Sequence, residues 1–476
     1  MKTMRRFFSL FLVLLLVIAA CTPITPRPDE LTFPPLAFSL PTVEKTSLVN
    51  GTKLYLRQDH ELPLIDVTAM VGVGRMHDPA AKAGLCALYA ATLRNGGAGS
   101  RDGAAVDDLL AQMAGELGVS CDNDALTLHL SIPAEEIDHG LSLLTDLLRH
   151  PRFENGRFEL ARRQKLEAIR RQNDRPTSIA HRLLAEAIYG DHPLGRMASE
   201  ASLQRIDRED LLVQHDLLMN PENLWLAISG DFDANLLKKK LTTLFDGWNS
   251  GGGGLPPLPA RSAISSPRLL LVDKPLPQST ILFGELGVDK SSPDLAAIRV
   301  MNYILGGGGF NSRLMREVRS NRGLAYSVYS YFRVGRRLPG TFLAGCETRS
   351  DATATVIELI RQEMERLRRE PVSVEELHLA KESLINSFVF AFTGTHAILT
   401  QAMRIDLFGY PSDYLERFRE QVAAVTVDDV LSVAQKYLHP ERQVLVVVGD
   451  TSVFVDALGA EEEVEWVDPQ RSLLLP

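Results

Sequence analysis

Apolar residues along this chain change period from stretch to stretch. Lys53 to Arg57 and Asp66 to Val73 are short apolar runs, and Ala125 to Ile132 alternates apolar with polar; all three predict strands. In Asp107 to Gly115, Phe158 to Gln172 and Ile179 to Tyr189 the apolar positions recur at three and four, which gathers them on one helical face. Strands and helices mix without strict βαβ alternation. The expected class is therefore α+β, with helices packed on an antiparallel-rich sheet.

The pattern then recurs. Asn220, Pro221 and Glu222 lead through the apolar run Leu224 to Ile228 to Gly230 and Asp231, and His439, Pro440 and Glu441 lead through Val444 to Val448 to Gly449 and Asp450. Both Pro-to-Gly spacings are nine residues and the copies are offset by 219. The same offset carries Ile188, Tyr189 and Gly190 onto Leu407, Phe408 and Gly409. An offset shared by two separated places predicts two copies of one fold of about 215 residues. Between them, Asn249, Ser250 and Gly251 to Gly254 run into Leu255, Pro256 and Pro257, which neither helix nor strand tolerates. The expected lobes span 38–249 and 263–476, joined by a Gly/Pro linker at 250–262.

Upstream, Lys2, Arg5 and Arg6 precede an apolar run from Phe7 to Ala20, the layout of an export signal over 1–20. The run is shorter than the roughly 20 residues of a spanning helix. Ile18, Ala19, Ala20 and Cys21 resemble a bacterial lipobox, which implies cleavage before Cys21 and acyl chains on that residue. In a Gram-negative source, Thr22 in place of an aspartate then implies the periplasmic face of the outer membrane. Pro23, Pro26, Pro28, Pro34 and Pro35 make 21–37 a tether that cannot build a core. A net charge of −9 argues against a general nucleic-acid surface. With Cys21 lipidated, Cys86, Cys121 and Cys346 remain, so at most one bridge could form, with its partners open.

Three blocks carry a resemblance to a known family. Gly74 to Pro79 with Gly84, Leu85 and Asn95 to Gly97 form the first; Arg157 to Asp174 with Pro176 and Tyr189 to Arg196 form the second. Leu305 to Leu314, continuing to Arg322 to Val328, forms the third. From about residue 38 to 455 the chain resembles the pitrilysin/insulinase (M16) metallopeptidases, which implies two homologous lobes making a clam-like half-chamber. Active members carry HxxEH on a helix, because two His at i and i+4 share a face and hold one metal while the Glu takes a proton from its water. The matching positions here are Ala87, Ala90 and Ala91, and no HxxEH or HExxH occurs elsewhere. Methyl groups neither ligate zinc nor move protons. The family's third ligand falls on Glu167, flanked at helical spacing by Arg163, Arg170 and Arg171, so a surface ion pair suffices to explain it.

The second copy retains Arg319 and Tyr326, which match the arginine and tyrosine that in this family reach the substrate at the zinc site. A guanidinium and a phenol can donate hydrogen bonds to a peptide carbonyl and its developing oxyanion. The residues alone favour a cation at a helix end and a buried strand aromatic, and it is the resemblance that implies the substrate-facing role. Gly306 to Gly309 lacks both a GKT/GKS continuation and GxGxxG, which argues against a nucleotide loop, and no GxSxG elbow is present. The resemblance implies no metal in this chain, zinc in an HxxEH-bearing partner subunit, and a peptide substrate of the complex. The alternative is a peptide-binding or scaffolding lipoprotein with no peptidase partner.

Overall fold

The computed structural model describes residues 42–248, 257–259, 268–458 and 464–470. The expected signal over 1–20, Cys21, the tether 21–37 and most of the Gly/Pro linker lie outside the described residues. The first lobe holds a sheet of β1 (Glu44–Ser47), β2 (Lys53–Gln58), β3 (Leu64–Val71), β4 (Glu116–Cys121), β5 (Leu126–Pro133) and β6 (Leu224–Gly230), in the order β1-β2-β6-β3-β5-β4. In the second lobe β7 (Arg268–Asp273), β8 (Gln278–Leu286), β9 (Ala325–Phe332), β10 (Thr341–Arg349), β11 (Val444–Gly449) and β12 (Val464–Trp466) follow the order β12-β7-β11-β8-β10-β9. Only β2 with β6 is parallel in the first sheet; β7 with β11 and β12 with β7 are parallel in the second. The α+β class with antiparallel-rich sheets therefore holds.

The repeated Pro-to-Gly segments become β6 and β11, each entered by a short 3-10 turn at Pro221–Asn223 or Pro440–Arg442. Both strands lie third in their sheets. Their unbroken apolar runs follow from burial on two faces. In the second sheet Leu269, Leu271, Ile281, Phe283, Leu445 and Val447 join the core of their own lobe. The alternate residues Leu270, Val272, Leu282, Val444, Val446 and Val448 face a different cluster.

That cluster comes from the other lobe. Four helices carry the candidate site positions and the contacts between lobes: α1 (Leu85–Asn95), α2 (Asn155–Arg170), α3 (Pro176–Tyr189) and α4 (Thr395–Leu407). Helix α3 of the first lobe lays Ile179, Leu183, Leu184 and Ile188 on the outer face of the second sheet. Reciprocally, α4 of the second lobe lays Leu399 and Met403 on Tyr55, Met70 and Ala227 of the first. The lobes thus exchange equivalent helices, and the offset that pairs Ile188 with Leu407 pairs the two that cross. A salt bridge from Arg336, in the β9–β10 connection, to Asp122 at 2.9 Å joins the lobes elsewhere.

Helix starts lie three or four residues ahead of the apolar spacing. The helix expected over Asp107 to Gly115 runs over Gly103–Gln112, because the Asp102 carboxylate accepts the Ala105 N–H at 2.8 Å and Ala114 turns to φ +48°. Helix α2 starts at Asn155 rather than Phe158, and α3 starts with Pro176 in its first turn rather than at Ile179.

Candidate functional site

Helix α1 carries Ala87, Ala90 and Ala91, the positions that the resemblance matches to HxxEH. Gly84, at φ +100°, starts it, and the buried Asp78 carboxylate accepts the N–H groups of Gly84 at 2.9 Å and Cys86 at 3.0 Å. A carboxylate there meets the unpaired N–H groups and positive dipole end of the helix. Burial nevertheless raises the Asp78 carboxyl to about 6, against the pull of those N–H groups. Ala90 is buried in the lobe core, while Ala87 and Ala91 are partly exposed. Ala87 borders a cavity of about 370 Å³ shared with Arg75, Asp78, Cys121, Pro193 and Met197.

Cys86 on α1 is bonded to Cys121 at the end of β4, with Cα atoms 6.0 Å apart. Cys346 is a buried free thiol, pushed up to about 12 by burial. Glu167 is exposed on α2 and accepts a 2.7 Å bond from Arg171 one turn away, while Arg170 pairs with Glu200 at 3.0 Å. No group of three or more His, Cys, Asp or Glu able to hold a metal occurs among the described residues. The residues at Ala87, Ala90, Ala91 and Glu167 do not fit zinc, which wants about four donors.

The second-lobe pair is arranged differently. Chain from Leu295–Asn302 passes through wide π-helical turns at Tyr303–Gly307 and Met315–Asn321, the latter carrying Arg319. Turns of this kind gather at functional sites. Gly323, at φ +63°, closes the second turn and admits the chain to β9. The base of this segment is held by Arg313, whose guanidinium donates to both Glu376 oxygens at 2.9 and 2.8 Å.

Arg319 and Tyr326 are brought together. The Arg319 guanidinium carbon lies 4.7 Å from the Tyr326 ring centre and 4.5 Å from that of Phe310. Tyr326 is 84% exposed, which sets aside the buried strand aromatic that its residue type alone allowed. It sits at the start of β9, the terminal strand of its sheet. Neither residue borders the cavity beside Ala87. Phe310 was part of the third block but carried no expected role; an aromatic directly after a glycine run was the available signal.

The family model described as Insulinase (Peptidase family M16) matches residues 55–201, and the one described as Peptidase M16 inactive domain matches residues 205–384. The protein named Non-peptidase homolog YmxG of Helicobacter pylori is 25% identical over 382 residues, covering 78% of this chain and 86% of that protein. A Bacillus subtilis protein named Uncharacterized zinc protease YmxG is 20% identical over 400 residues, with 83% and 95% covered. A crystal structure of a peptidase M16 inactive domain from Pseudomonas fluorescens superposes with a TM-score of 0.77 at 26% identity, covering 86% of this chain and 98% of that one. With the two models together covering more than half the chain and the two-lobed fold shared, this chain belongs to the M16 (insulinase) peptidase family.

Proposed function

We propose that the chain is a non-catalytic M16 subunit that completes the peptide chamber and active site of an HxxEH-bearing partner. The carrying observation is a divided site. Ala87, Ala90 and Ala91 have nothing to offer a metal, yet Arg319 and Tyr326 stand together and exposed, and Arg319 has no ion-pair partner among the described residues. In such a complex the Arg319 N–H groups and the Tyr326 hydroxyl donate to the scissile carbonyl, and more strongly to the oxyanion as water adds. Donors placed for developing charge lower the barrier without tightening ground-state binding. The peptide is held between the two subunits, and hydrolysis belongs to the complex. The reading also puts the chain in the cell envelope, anchored through Cys21 on the periplasmic face of the outer membrane.

The experiment is to extract the chain from membranes, identify what co-purifies and reconstitute that complex. Arg319→Ala or Tyr326→Phe should lower single-turnover cleavage by about 100-fold while peptide binding changes little. Unchanged rates in complexes that assemble and melt like wild type would sink the role. Recovery of the chain alone, with bound peptides and no HxxEH subunit, would favour the scaffolding lipoprotein instead. Release of the chain from membranes by salt would remove the lipid anchor from the proposal.

A further inference from the structure

Phe310 stands out on the second-lobe surface. It is 67% exposed, directly follows the run Gly306 to Gly309, and is turned out where Gly309 takes φ +56°. A singly exposed apolar side chain needs no explanation of its own. This one has a partner: its ring centre lies 4.5 Å from the Arg319 guanidinium carbon, and that of Tyr326 lies 4.7 Å from the same atom.

The geometry has a directional consequence. A guanidinium is planar, its five N–H donors lie in the plane, and its faces stack on aromatic rings. Stacking therefore restrains the plane without using a donor. An arginine with no carboxylate partner otherwise samples many rotamers, and ordering it when substrate arrives costs entropy. Two rings meet that cost in the folded chain and leave the donor edge free.

We infer that Phe310 is a positioning residue: it holds Arg319 against Tyr326 so that the donor edge is already aligned when a peptide carbonyl reaches it. The inference rests on the partner-subunit reading. Phe310 itself touches no reacting atom. Its effect passes through Arg319, so it should be felt in the rate rather than in peptide affinity.

The test uses the full chain in complex with the subunit that co-purifies with it, assayed on a fluorogenic peptide which that complex cleaves. Phe310→Ala should lower kcat by about tenfold and leave KM within about twofold, since misplacing a group that acts in the transition state costs rate. Phe310→Tyr, which keeps the ring, should restore most of the loss. Phe310→Leu, apolar but without a π face, should not, and it serves as the informative variant if the alanine form folds poorly. In an Arg319→Ala background Phe310→Ala should add no further loss, because a residue acting through Arg319 has nothing left to position. On the chain alone, arginine side-chain 15N relaxation should show Arg319 more restrained than Arg322, and freed by Phe310→Ala. If Arg319→Ala slows cleavage but Phe310→Ala does not, the inference falls and the partner-subunit reading stands. If Arg319→Ala is as fast as wild type, or no HxxEH subunit co-purifies, the reading falls and takes the inference with it. Equal restraint of Arg319 in the wild type and Phe310→Ala would also overturn the inference.

Discussion

Ala87, Ala90 and Ala91 differ in what surrounds them, and this decides how far α1 stands from a metal site. Ala90 lies among Leu88, Tyr89 and Leu93 in the core, where a carboxylate would be desolvated. Glu167, which the resemblance matched to the third ligand, is exposed and accepts a bond from Arg171. The chain purified alone should therefore contain no stoichiometric zinc and cleave no peptide; elemental analysis finding one tightly bound zinc per chain, with chelator-sensitive hydrolysis, would contradict this. At this scale the lack of donor atoms at Ala87, Ala90 and Ala91 was legible from the sequence, because a side chain without a donor atom cannot be supplied with one by folding. The state of Tyr326 was not. A tyrosine opening a strand can face either way, and the structure leaves this one exposed at the start of the terminal strand β9.

The element that changes most on moving from sequence to structure is the pair formed by α1 and β4. Three cysteines allowed one bridge and left its partners open; packing α1 beside β4 chose Cys86 with Cys121 across 35 residues. Closing a loop of that length removes about 3–4 kcal/mol of unfolded-state entropy in the chain-entropy model. Cys86→Ala with Cys121→Ala should lower unfolding stability by a comparable amount, and reductant should do the same to wild type but not to the double variant. Calorimetry giving identical melting with and without reductant would sink this. The bridge also ties the helix carrying Ala87, Ala90 and Ala91 to an edge strand. Helix interiors were readable because apolar spacing is local. Their starts were displaced by three or four residues, since Asp102 and Pro176 end the chain's extended path before the apolar face begins.

At the scale of the whole molecule the lobes are held by exchanged helices, and the α4 contact carries a titratable group. His396 sits between the Thr68 hydroxyl at 2.7 Å and the Ser229 hydroxyl at 2.8 Å, both on the first sheet. Burial lowers it to about 4; Asp66 pulls the other way and His129, its ring 5.4 Å distant, adds to the lowering. The unfolded chain holds this proton below about 6.5 and the folded chain does not until about 4, so the contribution is present above pH 6.5 and is lost as pH falls toward 4. The loss amounts to about 3 kcal/mol at most. Thermal melts from about pH 7 to about pH 4.5 should show wild type losing stability relative to His396→Gln. A difference between the two that stays constant with pH would refute this role. His215, also lowered to about 4 by burial, packs on Tyr89 and Phe153 in the first lobe and is common to both chains, so it cancels in the comparison. By itself the sequence determined that one lobe pattern recurs along the chain and that Ala87, Ala90 and Ala91 carry no donor atoms, because repeats and missing donor atoms are properties of local residue order. Only the tertiary structure decided that each outer sheet face is covered by the other lobe's helix, that Cys86 meets Cys121, and that Phe310 lies on Arg319. An apolar surface specifies that it must be covered but not by which segment, and the choice among segments of similar hydrophobicity rests on packing between residues far apart in the chain.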